Sequence, residues 1–367
     1  MKGIVMSVIV DCEKLSIFVK NVFSTYGLTP EDAFICSDNL VKADLRGVHS
    51  HGVARLKRYV DSIESGQIFP LNKPSLVRET PSTAAVDGNA GLGQIVGHFS
   101  TRLAIDKAKK TGIGMVTVRN SNHYGIARYY SEMILHENMI GISMTNSAPL
   151  VVPTFGKEMV MGTNPISFAA PAQKNRPFFL DMATSVVPRG KLEVYGREGK
   201  AMPEGWAVDE KGKSTQNPAE VLQNMLKRSG GGILPLGGEG ELFSGYKGYG
   251  LAMLVDILCG VLSGGAYADL VYGEKDGSSR PPDVGHFFMA IRIENFIDLE
   301  TFREKMDDFI SRVRNSAKAE GHSRIYIHGE KEYELFEKHQ REGVPVQEKV
   351  YETLKGIAKG RNVEFIL

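Results

Sequence analysis

The chain has 367 residues, of which 42% are hydrophobic and 24% charged, so it is long enough for two domains, and its composition excludes wholesale disorder. The formal net charge is +1, which leaves no field of one sign to attract nucleic acid or an anionic membrane. Any recognition of an anion must therefore be local.

The cysteines and the apolar stretches of the sequence predict the cellular compartment in which the protein works. Cys12, Cys36 and Cys259 are an odd, scattered set without CxxC spacing, which argues against a disulfide framework and a cysteine zinc site. The apolar N-terminal stretch is short and reaches Asp11 at once, so it predicts a strand rather than a signal peptide. No apolar run approaches the roughly 20 residues that a membrane span needs. We therefore expect a cytoplasmic protein that has no membrane partner.

The first eighty or so residues are predicted to be mainly helical. Thr29 is a favourable cap and Pro30 a favourable first residue for a helix. The helix is expected to end near Gly47, and its buried face is marked by Ala33, Cys36, Leu40 and Ala43. A second short helix is predicted over 55–63, followed by a turn-rich exit.

Residues 43–58 concentrate more titratable chemistry than any other short window. A neutral imidazole suits proton transfer near pH 7, so His51 beside Ser50 is a candidate acid/base, with a structural histidine as the alternative. His49 would point in a different direction and is interpreted as structural. Arg55 is the candidate for a substrate carboxylate because a guanidinium matches the carboxylate fork. A solvated helix face is the alternative for all four cations, Arg46, Arg55, Lys57 and Arg58.

The pattern changes to α/β at Pro81. Strands are predicted over 82–87, 114–118, 140–145, 166–170, 178–180 and 286–293. Helices are predicted over 96–109, from the stretch at 120–125 to about residue 138, over 251–262 and again after residue 295. The simplest architecture is a helical domain, residues 1–80 plus 296–367, with an α/β domain, residues 81–295, inserted in it.

A glycine-rich turn between a predicted strand and helix invites a dinucleotide interpretation. Its spacing, G-x-x-G-x-G over 88–93, does not meet the Rossmann fingerprint, and Arg119 and Asn120 stand where an acidic ribose ligand would be expected. The turn is therefore interpreted as a tight strand-to-helix connection. Small polar residues instead follow several strands, at 120–125, 146–149, 162–165 and 181–185, which predicts a lined crevice.

Other polar residues leave alternatives open. Asp181 follows an apolar strand and either caps a helix or, if it faces His51 or His123, orients an imidazole. Lys191 and Lys247 either hold a phosphate or are ordinary exposed lysines. The histidines and Asp181 follow no zinc-ligand spacing, so no metal is expected. The sequence also has no G-x-S-x-G elbow and no P-loop.

Five motifs in order resemble the type-2 malate/L-lactate dehydrogenase family. They are SHG at 50–52 with Arg55, SNHYG at 121–125, GTNP at 162–165, DMATS at 181–185 and GYKGYG at 245–250. The family also includes sulfolactate and ureidoglycolate dehydrogenases, a diketogulonate reductase and a cyclic-imine reductase. The resemblance covers nearly the whole chain. It implies an NAD(P)-dependent oxidoreductase on a non-Rossmann, mixed-sheet α/β fold.

The resemblance also implies roles for single residues. His51 looks like the proton carrier, Ser50 its relay partner and Asp181 a supporting carboxylate. His123 is similar to the histidine that has the acid/base role in some members, so two candidates stay open. At the end of the chain, His328 replaces the proline of a family motif beside Gly329. The residues that resemble cofactor contacts are His123, Tyr124, Ser147, Leu180, Asp181, Met182, Ala183, Thr184, Tyr246, Lys247, Gly329 and Glu330.

The implied reaction interconverts a small 2-hydroxy acid and its 2-oxo acid. Malate and oxaloacetate are expected first, with lactate or sulfolactate next, and NAD is the expected cofactor, with NADP as the alternative. The family resemblance also implies a homodimer whose site lies near the subunit interface. Ureidoglycolate, diketogulonate or a cyclic imine are alternative substrates. From another class, the alternative is a pyridoxal phosphate enzyme that uses Lys191 or Lys247.

Overall fold

The computed structural model describes residues 7–272, 274–275 and 278–367; residues 1–6 of the predicted first strand lie outside this range. The α-helices are α1 (Cys12–Ser24), α2 (Pro30–Leu45), α3 (Leu56–Glu64), α4 (Gly93–Thr111), α5 (Arg128–Leu135), α6 (Arg189–Arg197), α7 (Pro218–Lys227), α8 (Gly245–Asp256), α9 (Leu299–Asn315), α10 (Glu330–Glu342) and α11 (Glu348–Arg361). The strands are β1 (Ser7–Val10), β2 (Ser75–Glu79), β3 (Thr83–Asp87), β4 (Ile113–Ser121), β5 (Met139–Thr145), β6 (Ile166–Ala170), β7 (Phe178–Met182), β8 (Ala207–Val208), β9 (Gly232–Ile233), β10 (Glu274–Lys275), β11 (Ser278–Ser279), β12 (Val284–Arg292) and β13 (Val344–Gln347).

A seven-stranded mixed sheet organises the middle of the chain. Its strand order is β2-β3-β4-β12-β5-β6-β7. β3 and β4 pair in parallel, and the other neighbours pair antiparallel. Helices α4 and α5 pack on the sheet around the buried side chains Val96, Ile105, Tyr130, Ile134 and Phe288. The sheet confirms the predicted mixed α/β fold.

The two ends of the chain share one hydrophobic core. β1 pairs antiparallel with β13, and one buried cluster draws side chains from α1, α2, α3 and α11, among them Leu15, Phe18, Leu40, Leu56 and Leu354. The predicted start of α2 is confirmed, because the Thr29 hydroxyl accepts the backbone N–H of Asp32 at 3.2 Å. The division of the chain into two domains stays a prediction.

Some predicted boundaries were wrong. β2 falls inside the segment that was predicted to be helical, yet it is the edge strand of the large sheet and pairs with β3. All five of its side chains are exposed, so no alternation of buried and exposed residues marks it in the sequence. α8 begins at Gly245 rather than Leu251, and β7 continues past Leu180 to Met182.

A buried carboxylate shapes the turn after α2. Asp44 is 2% exposed; it accepts the backbone N–H of Val53 at 2.7 Å and contacts Nδ1 of His49 at 2.9 Å. These contacts close the turn that carries Ser50 and His51. Residue 52 must be glycine, because a Cβ there would lie 2.1 Å from the Asp44 carboxyl.

Replacing Asp44 should therefore destabilise the protein. Asp44→Ala leaves the buried Val53 N–H without its acceptor, and we expect the free energy of unfolding to fall by about 1–3 kcal/mol, measured by urea denaturation. Asp61→Ala is the matched control, because Asp61 pairs with Lys57 at the surface and should change stability by less than about 0.5 kcal/mol. Equal effects of the two substitutions would contradict the organising role of Asp44.

Candidate active site

A cleft of about 590 Å³ brings several of the predicted site residues together. Its lining comes from the turn after α2, the loop before α5, the end of β7 and the segment that leads into α10. Ser50, His51, Gly125, Arg128 and Asp181 are among the lining residues. The volume lies within the roughly 300–1,000 Å³ that small-molecule and cofactor sites occupy.

His51 is half-buried at the cleft. Its Nδ1 lies 2.9 Å from the Ser50 hydroxyl, and its Nε2 has no hydrogen-bond partner among the described residues. Burial, reinforced by the charges of Arg55 and Arg58, lowers the pKa of His51 to about 4. The imidazole is therefore neutral at pH 7 in the free protein and able to accept a proton at Nε2.

His123 stacks on His51, with ring centroids 5.5 Å apart and an interplanar angle of 21°. Its Nδ1 accepts the backbone N–H of Gly125 at 3.3 Å and lies 2.6 Å from the Tyr59 hydroxyl. An amide N–H can only donate, so Nδ1 is an acceptor and the proton of the neutral ring is assigned to Nε2. Burial and the charge of Arg58 hold the pKa of His123 well below its usual value.

The cations of the 43–58 window have different environments. Arg55 donates from Nε to the Ser50 carbonyl at 2.6 Å, and its terminal nitrogens have no hydrogen-bond partner in the described part of the chain. Lys57 pairs with Asp61 at the surface, as a solvated helix face predicts. Arg46 was wrongly included in that alternative, because it is 4% exposed and pairs with Glu132 at 2.6 Å.

Asp181 lines the cleft but does not pair with an imidazole. Its Oδ2 accepts the backbone N–H of Arg128 at 3.3 Å, whereas Nδ1 of His51 and of His123 face hydroxyl groups. The structure thus gives no support to the predicted carboxylate–histidine contact. The Asp181 side chain is exposed to the cleft; the low-dielectric protein that surrounds it on the other sides raises its pKa to about 6, opposed by the charge of Arg128.

The residues predicted to hold the cofactor separate into two groups. Those that line the cleft are Leu180, Asp181, Met182, Ala183 and Gly329. Ser147 and Thr184 are not among the lining residues in the described structure. The Ser147 hydroxyl accepts the N–H of Thr163 at 3.1 Å, and the Thr184 hydroxyl donates to the carbonyl of Asn164 at 3.1 Å. Tyr124 is buried and stacks on His286 at 4.5 Å.

Three further predicted contacts do not reach this cleft within the described structure. Glu330 accepts the Ile327 N–H at 3.1 Å and pairs with Arg314 and Arg324, so its oxygens are engaged by the protein. Tyr246 and Lys247 are exposed on the first turn of α8. Their predicted role has no support from this arrangement.

The sequence interpretation missed two residues of the site. Tyr59 contacts His123, and its place four residues after Arg55 on a predicted helix was a usable signal, because such residues share one face. Arg128 lines the cleft, yet nothing in the sequence distinguishes a buried arginine from an exposed one.

The glycine-rich turn at 88–93 supports the loop that carries His123. A Cβ at Gly93 would lie 2.2 Å from the Asn122 carbonyl, and one at Gly88 would lie 2.8 Å from the Asn120 carbonyl. The turn connects β3 to α4 by this close approach, as the tight-connection interpretation expected. Across the described residues, no group of histidine, cysteine and carboxylate side chains could hold a metal, and no helix has the length and apolarity to cross a membrane.

Comparison with known proteins places this site in a family. The sequence pattern of the malate/L-lactate dehydrogenase family matches residues 10–355. The chain is 54% identical over 352 residues to a malate dehydrogenase of Pyrococcus horikoshii, covering 96% of this chain and 95% of the relative. It is 40% identical over 349 residues to an L-sulfolactate dehydrogenase of Methanocaldococcus jannaschii, covering 94% and 95%.

A solved structure gives the same result. The malate dehydrogenase of Entamoeba histolytica superposes with a TM-score of 0.94 at 39% identity, covering 99% of this chain and 100% of that one. A match along nearly the whole chain, in sequence and in fold, is also what the five ordered motifs implied. The chain therefore belongs to the malate/L-lactate dehydrogenase family of oxidoreductases.

Proposed function

We propose that the protein is an NAD(P)-dependent dehydrogenase that interconverts malate and oxaloacetate, with lactate or sulfolactate as the next candidates. The observation that carries the proposal is a neutral imidazole, His51, that lines a cleft of cofactor size. The guanidinium of Arg55, held on the Ser50 carbonyl, lies close enough for its charge to act on His51, and its terminal nitrogens have no partner among the described residues. The 54% identity to a malate dehydrogenase favours malate among the 2-hydroxy acids.

The cleft suits a dinucleotide. Its walls include the apolar side chains of Val48, Ile126, Leu180 and Ile327, which offer contact surface for flat rings. Gly125 and Gly329 also line the cleft, and both have positive φ. Residues 180–183 and 327–329 would hold the cofactor. When bound, the nicotinamide accepts or supplies the hydride.

The residues at the substrate then have separate tasks. The Arg55 guanidinium holds the carboxylate of the 2-hydroxy acid and so orients its C2. Nε2 of His51 takes the proton of the 2-hydroxyl during oxidation and returns it during reduction. The Ser50 hydroxyl accepts a hydrogen bond from Nδ1–H of the resulting imidazolium. His123, with Tyr59 at its Nδ1, is the alternative proton carrier.

The pyridoxal phosphate alternative has no support in this geometry. Lys191 and Lys247 are both exposed, and neither belongs to the residues that line the cleft in the described structure. A lysine that forms a Schiff base needs a partly desolvated site that lowers its pKa.

A panel of 2-oxo acids tests the proposal directly. Oxaloacetate, pyruvate and sulfopyruvate are each supplied with NADH or NADPH, and cofactor oxidation is followed at 340 nm. We expect the highest kcat/KM with oxaloacetate. Inertness toward all three would refute the 2-oxo acid assignment. The alternative substrates, a cyclic imine, ureidoglycolate and diketogulonate, would then be assayed.

Replacing each histidine identifies the proton carrier. His51→Gln should lower kcat by about 10²–10⁴-fold, the usual contribution of general acid–base catalysis, while the Kd for NADH measured by fluorescence stays unchanged. His322→Gln, at an exposed position, is the control and should match wild type. If His51→Gln keeps full turnover while His123→Gln loses it, the role belongs to His123.

A homodimer is part of the proposal because α8 and the short helix that follows it, Ile257–Val261, have an apolar face that no other described residue covers. Its exposed side chains, which recur at helical spacing, are Tyr246, Met253, Ile257 and Val261. Monomeric proteins rarely expose a contiguous apolar patch of this kind. A second copy that covers this face would bury these side chains.

The oligomeric state should respond to a charge on this face. Light scattering is expected to give twice the mass of the chain for wild type and the mass of one chain for Ile257→Asp. Phe296→Asp, which changes an exposed apolar residue elsewhere, should leave the dimer intact. A monomeric wild type would refute the dimer, and a dimeric Ile257→Asp would exclude this face.

A further inference from the structure

Arg128 is a buried cation that the proposed proton and carboxylate chemistry does not use. It is the first residue of α5, lines the cleft and is only 2% exposed. Its guanidinium carbon lies 3.8 Å from the centroid of the Phe179 ring and 4.6 Å from that of Tyr333. Two aromatic side chains thus hold the guanidinium in place.

The hydrogen-bonding capacity of this guanidinium is not met by the protein. Nε and Nη2 of Arg128 are buried and have no hydrogen-bond partner among the described residues. The Glu132 carboxylate lies 3.9 Å from Nη2, because Arg46 binds both of its oxygens, at 2.6 and 2.8 Å. Two buried guanidinium groups therefore share one fully engaged carboxylate.

Asp181 is the other carboxylate beside Arg128. Its Oδ2 accepts a hydrogen bond from the backbone N–H of Arg128 rather than from the guanidinium. Burying charged donors without acceptors costs free energy, which an anionic ligand would recover. The Arg128 guanidinium is thus short of an acceptor at the cleft, because neither neighbouring carboxylate, Glu132 or Asp181, accepts a hydrogen bond from its Nε or Nη2 in the described structure.

The ligand group that would accept hydrogen bonds from Arg128 differs from the substrate carboxylate at Arg55. The described structure shows no contact between Arg128 and Ser50, His51 or Arg55, and the charges that depress the pKa of His51 are those of Arg55 and Arg58. Phe179, on which Arg128 stacks, instead donates its backbone N–H to His328 at 3.1 Å, in the segment before α10. Arg128 therefore faces a part of the ligand other than the substrate carboxylate.

We infer that Arg128 binds a phosphoryl group of the dinucleotide, an inference that rests on the proposed function. A guanidinium matches phosphoryl oxygens in a bidentate arrangement. The phosphoryl group has two sources: the bridging diphosphate, which NAD and NADP share, and the ribose 2′-phosphate, which only NADP carries.

Arg128→Met tests the inference through cofactor binding. Methionine keeps an apolar side chain between the two rings but removes the charge and the donors. We expect the Kd for NADH, measured by nicotinamide fluorescence, to rise by about 10- to 100-fold, since a hydrogen bond to a charged group contributes about 1.5–3 kcal/mol. A rise for both NADH and NADPH assigns the diphosphate, and a rise for NADPH alone assigns the 2′-phosphate. Unchanged values for both cofactors would overturn the inference.

Thermal unfolding separates ligand binding from a structural role. Without cofactor, the Tm of Arg128→Met should be no lower than that of wild type, because the substitution removes a buried charge that has no full partner. The rise in Tm on adding NADH or NADPH should be smaller than in wild type. A lower Tm with unchanged Kd would show that Arg128 only supports the fold. If Arg128→Met does not fold, Arg128→Gln is measured and interpreted in the same way.

Arg176→Met is the matched control. Arg176 also lies over the Tyr333 ring, at 5.7 Å, but it pairs with Glu337 at 2.7 Å and does not belong to the cleft lining in the described structure. Its Kd values should equal those of wild type. A wild-type protein that binds neither cofactor would refute the proposed function, whereas equal binding by wild type and Arg128→Met would refute this inference alone.

Discussion

The buried ion pair between Arg46 and Glu132 joins the two parts of the chain that form the cleft. Arg46 ends the helix that delivers the Ser50–His51 turn, and Glu132 lies on α5, directly after the loop that carries His123. The Arg46 guanidinium also lies 4.6 Å from the Phe336 ring of α10. One side chain therefore ties together three segments that contribute to the lining of the cleft. Breaking such a pair leaves an uncompensated buried charge, which costs about 3–5 kcal/mol.

Burial has opposite consequences for the ionisable groups at this cleft. The surrounding protein lowers the pKa of His51 to about 4 and raises that of Asp181, whose side chain is exposed to the cleft, to about 6, because partial desolvation disfavours the charged form of each group. The neutral imidazole is the form that accepts a proton from a hydroxyl. A substrate carboxylate bound at Arg55 would add negative charge near His51 and so make its protonation easier. In the proposed mechanism, the proton that His51 accepts is thus the one that the substrate hydroxyl brings.

The fold replaces a glycine-rich phosphate loop with a different arrangement. In a Rossmann domain such a turn contacts the dinucleotide, but here Gly88 and Gly93 pack against the backbone of the His123 loop. The cleft is lined instead by β7, an edge strand of the mixed sheet, and by residues that precede α10. Gly88 and Gly93 thus support the loop that carries His123. The proposed contacts to the cofactor come instead from β7 and the residues before α10, which lie far away in the sequence.

Local patterns in the sequence determined a large share of this description. Helical spacing and the Thr29 cap predicted α2, alternation and apolar runs predicted β3 to β7 and β12, and the motif set predicted the family. The exposed edge strand β2 was not predictable, because strand patterns arise from burial on one face and β2 has none.

The pairing of charged side chains was decided by tertiary structure alone. Arg46, Arg55 and Arg128 are the same residue type, yet their environments differ. Arg46 pairs with a buried carboxylate, the terminal nitrogens of Arg55 have no partner among the described residues, and Arg128 stacks between two aromatic rings. The partners that separate these outcomes, Glu132, Phe179 and Tyr333, lie on other elements. The role of a charged side chain depends on contacts that form only when distant segments pack together, and local spacing carries no record of those contacts.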